Sequence, residues 1–256
     1  MPGARHTVPG LMTRFFCSLP LPSGTPVTLG AEVKYFTLSP DTSFALYLDN
    51  AGTLYSVPAT GGTPVTLGTK INSPYNYRTT PDSSFVVYRD VFDDLYSIPV
   101  SGGTPVKLAG NIYPSTNAFR ITPDSSLVVA KQSSGQPPVH ISGVVLNTGS
   151  FCISTTISIP VMGGTPVSIG DTCQTDTSIT NISPDSSFMV ARSSRGLYIA
   201  PTSGGEANIF YSGSSTQARG IEISPDSKWL AYSFFSFFNT RYYGLVIHYP
   251  VLYQIP

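Results

Sequence analysis

Five aspartates stand in one setting: Asp41, Asp82, Asp124, Asp185 and Asp226 each follow Ser-Pro or Thr-Pro. Recurring carboxylates are raw material for a metal site or for acid–base work. One carboxylate per repeat at a tight turn points to different chemistry. Proline presets φ for the turn, and the aspartate accepts hydrogen bonds from backbone N–H groups just beyond it. These five are expected to be structural. A second acidic group, Asp90, Asp93 and Asp94, sits in one short stretch. A calcium loop needs alternating oxygen ligands and a glycine at its sharp turn. This stretch has neither, and reads as a solvated acidic loop and a weak binding candidate. Asp49-Asn50-Ala51-Gly52 reads as a plain hairpin turn.

The other reactive side chains form no constellation. His6, His140 and His248 are the only histidines, and they are far apart in sequence. No Gly-x-Ser-x-Gly elbow is present to anchor a hydrolase triad. The zinc signatures His-Glu-x-x-His and Cys-x-x-Cys are missing, as is a glycine-rich loop ending in Lys-Ser or Lys-Thr. No catalytic residue, metal or cofactor is therefore predicted. Cys17 stands alone, while Cys152 and Cys173 flank one repeat boundary; either those two form a disulfide or all three are small buried hydrophobes.

Composition narrows the class further. The formal net charge is zero, only 11% of residues are charged, and 41% are hydrophobic. No basic stripe favours a nucleic acid or an anionic membrane. No apolar run approaches the ~20 residues of a membrane-spanning helix. Phe15 to Leu19 is too short, and too soon broken by Pro20, for a signal peptide.

The elements that must carry these residues repeat. The aspartates of the Pro-Asp turns are 41, 42, 61 and 41 residues apart. Gly-Thr-Pro-Val recurs at Gly24–Val27, Gly62–Val65, Gly103–Val106 and Gly164–Val167, with a decayed copy at Gly204-Gly205-Glu206-Ala207. Leu-Tyr-Ser-Val/Ile-Pro occurs at Leu54–Pro58 and Leu95–Pro99, with variants at Ile157–Pro160 and Leu197–Pro201. All three markers keep order and phase. The turn leads into a continuously apolar stretch such as Phe85-Val86-Val87-Tyr88, which reads as a strand buried on both faces. An alternating strand ending on proline follows, then a Gly-Gly turn, then a short outer strand. In the second repeat the four strands a to d are expected near 75–80, 84–89, 94–99 and 105–109. Four antiparallel strands per period of about forty-one residues make one β-propeller blade. Such a sheet is apolar on both faces, so blades must stack around an axis.

Ser-Pro-Asp-Ser-Ser, Leu-Tyr-Ser-Ile-Pro and Gly-Gly-Thr-Pro-Val-Lys-Leu together resemble the TolB-type propeller repeat, a WD-like repeat with a Pro-Asp turn, in the form found in tandem-repeat exported bacterial proteins. The resemblance runs from about residue 15 to residue 250. It implies an all-β fold of about five blades and a periplasmic, cell-surface or secreted site of action. It implies a binding or scaffold role toward a protein or a glycan. Related blades also serve as propeller domains of serine peptidases and in carbohydrate-active lyases, which stand as alternatives. A monomer is expected, without nucleic-acid partner or membrane insertion.

Three departures mark the pattern. The third repeat carries about twenty extra residues, the fourth has Glu206-Ala207-Asn208 for Thr-Pro-Val, and the last lacks the Gly-Gly-Thr-Pro element. Residues 1–14 are expected to be a disordered terminus. Blades are expected near 34–69, 75–110, 117–170, 178–212 and 219–249, with 15–30 as closing strands. The N-terminal strand d would then clasp a five-blade ring at the last blade, with Val251–Ile255 competing for the same edge; otherwise the chain is part of a larger propeller. Loops b–c and d–a share one, variable face. The insertion, residues 132–150, lies there and supplies the weak binding candidates Gln136, His140 and Asn147, with Val139–Leu146 able to add a hairpin. Trp229 reads as core, and Phe234, Phe235, Phe237 and Phe238, which precede the last strand c, as packing over a blade face or as an apolar patch for a partner.

Overall fold

The computed structural model describes residues 15–19, 22, 24–115, 117–133, 154–170, 178–193, 196–212, 218–240 and 243–254, the backbone alone being described at 15, 178, 193, 211–212, 218–219 and beyond residue 233. Its architecture is all-β, in successive antiparallel sheets. The first complete sheet is β3 (Val33–Leu38), β4 (Phe44–Asp49), β5 (Leu54–Pro58) and β6 (Val65–Gly68). The second is β7 (Tyr77–Thr79), β8 (Phe85–Arg89), β9 (Leu95–Pro99) and β10 (Val106–Ala109). The third is β11 (Phe119–Ile121), β12 (Leu127–Ser133), β13 (Ser154–Pro160) and β14 (Val167–Ile169). The fourth is β15 (Ser178–Ile182), β16 (Phe188–Ser193), β17 (Gly196–Pro201) and β18 (Asn208–Ser212). In each, neighbours in sequence are neighbours in the sheet. A hairpin, β1 (Phe15–Ser18) and β2 (Val27–Ala31), precedes them, and β19 (Ala218–Ile223), β20 (Trp229–Thr240) and β21 (Tyr243–Gln254) follow.

Period-two alternation along strand b divides the core. Val86 and Tyr88 pack with Leu46, Leu48 and Leu54 of the preceding blade, whereas Val87 packs with Phe119, Val128 and Ile157 of the following one. Val128 and Ala130 likewise face back, and Val129 faces forward toward Met189 and Ala191. Successive strand residues point to opposite faces, so a continuously apolar strand must be covered on both.

Three contacts between blades explain why the markers recur. The amide N–H of Asp41, Asp82, Asp124 and Asp185 donates to the hydroxyl of Ser83, Ser125, Ser186 and Ser227, one blade further on, at 3.2, 3.0, 3.0 and 3.1 Å. The Leu-Tyr-Ser serine does the same job from strand c: Ser56 Oγ donates to the Val100 carbonyl at 2.6 Å, and Ser97 to that of Val161. The first glycine of each Gly-Gly pair lies on the preceding blade's strand d valine. A Cβ on Gly102 would lie 2.6 Å from Val65 Cγ1, and one on Gly163 2.8 Å from Val106 Cγ1. Ser125→Ala should therefore cost about 1 kcal/mol, the worth of one hydrogen bond, in urea unfolding. Ser125→Gly should cost less, because Ser125 has φ +64° and glycine relieves that strain.

The N-terminal hairpin docks by the same rule. A Cβ on Gly61 would lie 2.6 Å from Val27 Cγ1, and Phe16 and Leu29 pack with Ala45 and Tyr47. Thus β1 and β2 take the c and d places of a blade ahead of β3–β6. The expected clasp differs: among the described residues β2 pairs with β1 and with no strand of the last sheet. In that sheet Val251 to Gln254 lie in β21, paired with Tyr232 to Trp229, so they extend strand c and leave the d place alone. Pairing across a short hairpin closes a smaller loop than pairing the two ends of the chain. Phe234 to Phe238 belong to strand b, which runs to Thr240, and do not merely precede strand c.

Trp229 also departs from expectation, being 37% exposed. Its counterpart Phe188 is buried against the following blade. Among the described residues no further sheet covers Trp229.

Candidate functional site

The residue four places before each turn aspartate holds the same register on strand a, opposite the residue of strand b five places after that aspartate: Thr37, Arg78, Arg120, Asn181 and Glu222. Three of them share one cavity of about 300 Å³. Blade two contributes Arg78, Thr79 and Pro81; Arg120, Ile121 and Pro123 come from blade three, and Asn181 with Ile182 from blade four. The turn prolines place this cavity on the a–b side, opposite the b–c loops.

Each of these side chains reaches toward the next blade. Arg78 Nη2 lies 3.5 Å from Asn117 Oδ1, and its guanidinium carbon stands 5.8 Å from the centre of the Phe119 ring. Arg120 Nε donates to the Ile179 carbonyl at 3.2 Å, and Asn181 Nδ2 to that of Ile221 at 2.7 Å. Both arginines are half-buried. Burial pushes the Arg78 guanidinium down from its ordinary value; for Arg120 burial does so first, and the positive charge of Arg78 adds to it. Guanidinium stays protonated regardless. Arg78 Nε and Thr79 Oγ1 are buried without a hydrogen-bond partner.

Arg89 shows what a structural arginine looks like in this fold. Its Nη1 donates to the Tyr113 carbonyl and its Nη2 to Asn76 Oδ1, both at 2.9 Å, and Asp93 lies 3.6 Å away. Ion pairs among the described residues include Arg89–Asp93 and Lys107–Asp94. Neither Arg78 nor Arg120 has a carboxylate partner there. Two cations held together without counter-charge, next to unpaired donors, can bind an oxyanion.

The Pro-Asp carboxylates are fully engaged in their turns. Asp82 accepts from Thr80 Oγ1 at 2.6 Å, Ser84 N at 3.1 Å and Ser84 Oγ at 2.7 Å. Partial burial pushes Asp82 up, but the bonds from Thr80 and Ser84 outweigh it and leave it at about 2. Asp185 is also drawn to about 2, by Ser183 and then by the Ser187 amide. Bonds from Ser39 and Ser43 draw Asp41 down, and bonds from Ser224 and the Lys228 amide draw Asp226 down. Burial raises Asp124, and bonds from Thr122 and Ser126 overcome it.

A carboxylate depressed in the folded state stabilises it at any pH above its unfolded value of about 3.9, and the contribution disappears as pH falls through the folded value. The urea midpoint should therefore drop as pH is lowered from about 4 to about 2. Asp82→Asn with Asp185→Asn should flatten that drop.

The second acidic group is also occupied. Asp90 Oδ1 accepts from the amides of Phe92 and Asp94 at 2.9 and 3.0 Å, as Asp49 Oδ1 accepts from Thr53 at 2.8 Å one blade earlier. Asp93 has φ +63°, and Asp94 Oδ2 meets Lys107 Nζ at 2.6 Å. No group of three or more His, Cys, Asp or Glu suited to a metal occurs among the described residues. Gln136, His140, Asn147, Cys152, Cys173, His6 and the expected hairpin Val139–Leu146 lie outside the described residues, as does the side chain of His248. Cys17 is a free, exposed thiol.

Sequence reasoning passed over Arg78 and Arg120. Their signal was positional: aligned on the Pro-Asp turns, that site alone among the turn-proximal positions carries threonine, arginine, arginine, asparagine and glutamate in turn.

No protein-family model matches the chain, and no curated protein does. Solved structures do resemble it. An oligogalacturonate lyase in complex with manganese superposes with a TM-score of 0.50 at 10% identity, covering 95% of this chain and 70% of its own. TolB from Acinetobacter baumannii gives 0.46 at 16% identity over 86% of this chain and 51% of its own. Hydrazine synthase of Kuenenia stuttgartiensis gives 0.46 at 17% identity over 81% and 57%. The chain thus spans little more than half the length of the last two. At these identities the likeness is one of fold: the chain is a β-propeller of four-stranded antiparallel blades, about five in number.

Proposed function

We propose that this propeller is a non-catalytic binding module whose ligand, carried by a protein or a glycan, enters at the arginine-lined cavity. The observation that supports it is the pairing of Arg78 and Arg120, half-buried and without carboxylate partners among the described residues. Around them the Pro-Asp carboxylates are fully used in turns, so the frame is fixed and the inner position differs from blade to blade. An exported, monomeric protein belongs to this reading and rests on the repeat resemblance. No helix among the described residues is long and apolar enough to cross a membrane.

The test is a screen of peptide and glycan arrays with the full chain and with a variant lacking residues 134–150, followed by mass spectrometry of each bound ligand. Binding without cleavage supports the module. Cleavage of a bound uronide would replace it with the lyase reading. Loss of all binding in the deletion variant would move the site to the b–c face.

A further inference from the structure

Resting on that reading, we infer that the cavity between blades two, three and four is a carboxylate subsite for an extended acidic peptide of another protein, in which Arg78 and Arg120 clamp a glutamate or aspartate side chain. The donors are in place: two guanidinium groups and the Asn181 amide, whose Nδ2 also donates to the Ile221 carbonyl, line one space of about 300 Å³. Their charge is uncompensated among the described residues. An arriving carboxylate offsets the repulsion between Arg78 and Arg120.

The walls choose the kind of carrier. Ile121 and Ile182 stand beside the arginines. A second cavity, of about 370 Å³, adjoins through Arg78 and Thr79 and is lined by Leu38, which is 53% exposed, Pro40 and Pro74, beside Thr37 and Tyr77. A polyuronide presents hydroxyls on every ring, and those set against Leu38, Pro40 and Pro74 would go unpaired. An extended peptide offers a carboxylate and an apolar side chain at neighbouring positions, which matches cation and apolar wall in sequence.

The probe is a fluorescein-labelled, amidated hexapeptide, Gly-Glu-Phe-Glu-Leu-Gly, read by anisotropy against the full chain. Controls are Gly-Gln-Phe-Gln-Leu-Gly and unlabelled trigalacturonate. The acidic peptide should bind at least about 10-fold more tightly than the glutamine peptide, as hydrogen bonds to charged groups imply. Arg78→Gln and Arg120→Gln should each weaken it about 10-fold while lowering the urea midpoint less than Ser125→Ala does. Raising the ionic strength from about 0.05 to about 0.3 M should weaken it too. If both peptides bind alike, or the arginine variants keep full affinity, the subsite is overturned while the binding module stands. Trigalacturonate binding more tightly through the same arginines would assign the subsite to a glycan and overturn the peptide. If no peptide, array glycan or trigalacturonate binds, both the subsite and the module fall.

Discussion

Gly102→Ala should destabilise the propeller by about 3 kcal/mol, read as a lower urea midpoint with an unchanged slope. Two costs combine. Gly102 has φ +91°, a backbone state that side chains rarely adopt. Its new Cβ would also lie 2.6 Å from Val65 Cγ1 on the blade before. Val65→Ala removes the second cost and leaves the first. The double variant should therefore lose less than the two single losses added, by about 1 kcal/mol. Additive losses would mean that the Gly-Gly turn does not bear on strand d of its neighbour.

Phe119→Ala should be as damaging, at about 3–5 kcal/mol. Phe119 is 1% exposed at the start of the third blade and packs with Val87, Leu95 and Leu108 of the second. Truncation leaves a cavity in the seam between two blades, which the sheets cannot collapse to fill. It also removes the ring over which Arg78 lies, so affinity for the acidic hexapeptide should fall along with stability. Phe119→Leu keeps most of the volume and should cost less than about 1.5 kcal/mol in stability. Because the leucine variant keeps the fold, any loss of peptide affinity in it reports on the seat of Arg78 alone.

Much of the frame was legible in the sequence because its causes are local. The turn Thr80-Pro81-Asp82 specifies its own hydrogen bonds within a few residues, and the second blade's strands fall within two residues of the expected bounds. What turns the same motif into a joint between blades was less visible. The serine after the aspartate bonds a residue 42 or more positions back, at Ser83, Ser125, Ser186 and Ser227. Repetition exposed its importance but not its partner. Asp90 could have been recognised as a turn residue from Asp49, 41 positions earlier in the same hairpin. The ends were misjudged for a different reason. Strand counting treats every edge as available, whereas β2 is taken by its own hairpin partner β1 and β21 runs on as strand c, with Phe36 63% exposed at one end and Trp229 partly exposed at the other. The arginine cavity was illegible because its parts come from three blades and meet only once the strands are stacked.

One paired comparison bears most directly on the division between residues that join the blades and residues left free to meet a ligand. Ser125→Ala and the double variant Arg78→Gln with Arg120→Gln are each measured for urea unfolding and for hexapeptide anisotropy. The serine variant should lose stability and keep affinity. The arginine variant should lose less stability than the serine variant, because the bond to the Ile179 carbonyl that it gives up is offset as two like charges part, and should lose affinity. An arginine variant that unfolds as early as the serine variant, yet binds the peptide as the parent protein does, would contradict the account, since Arg78 and Arg120 would then be part of the frame.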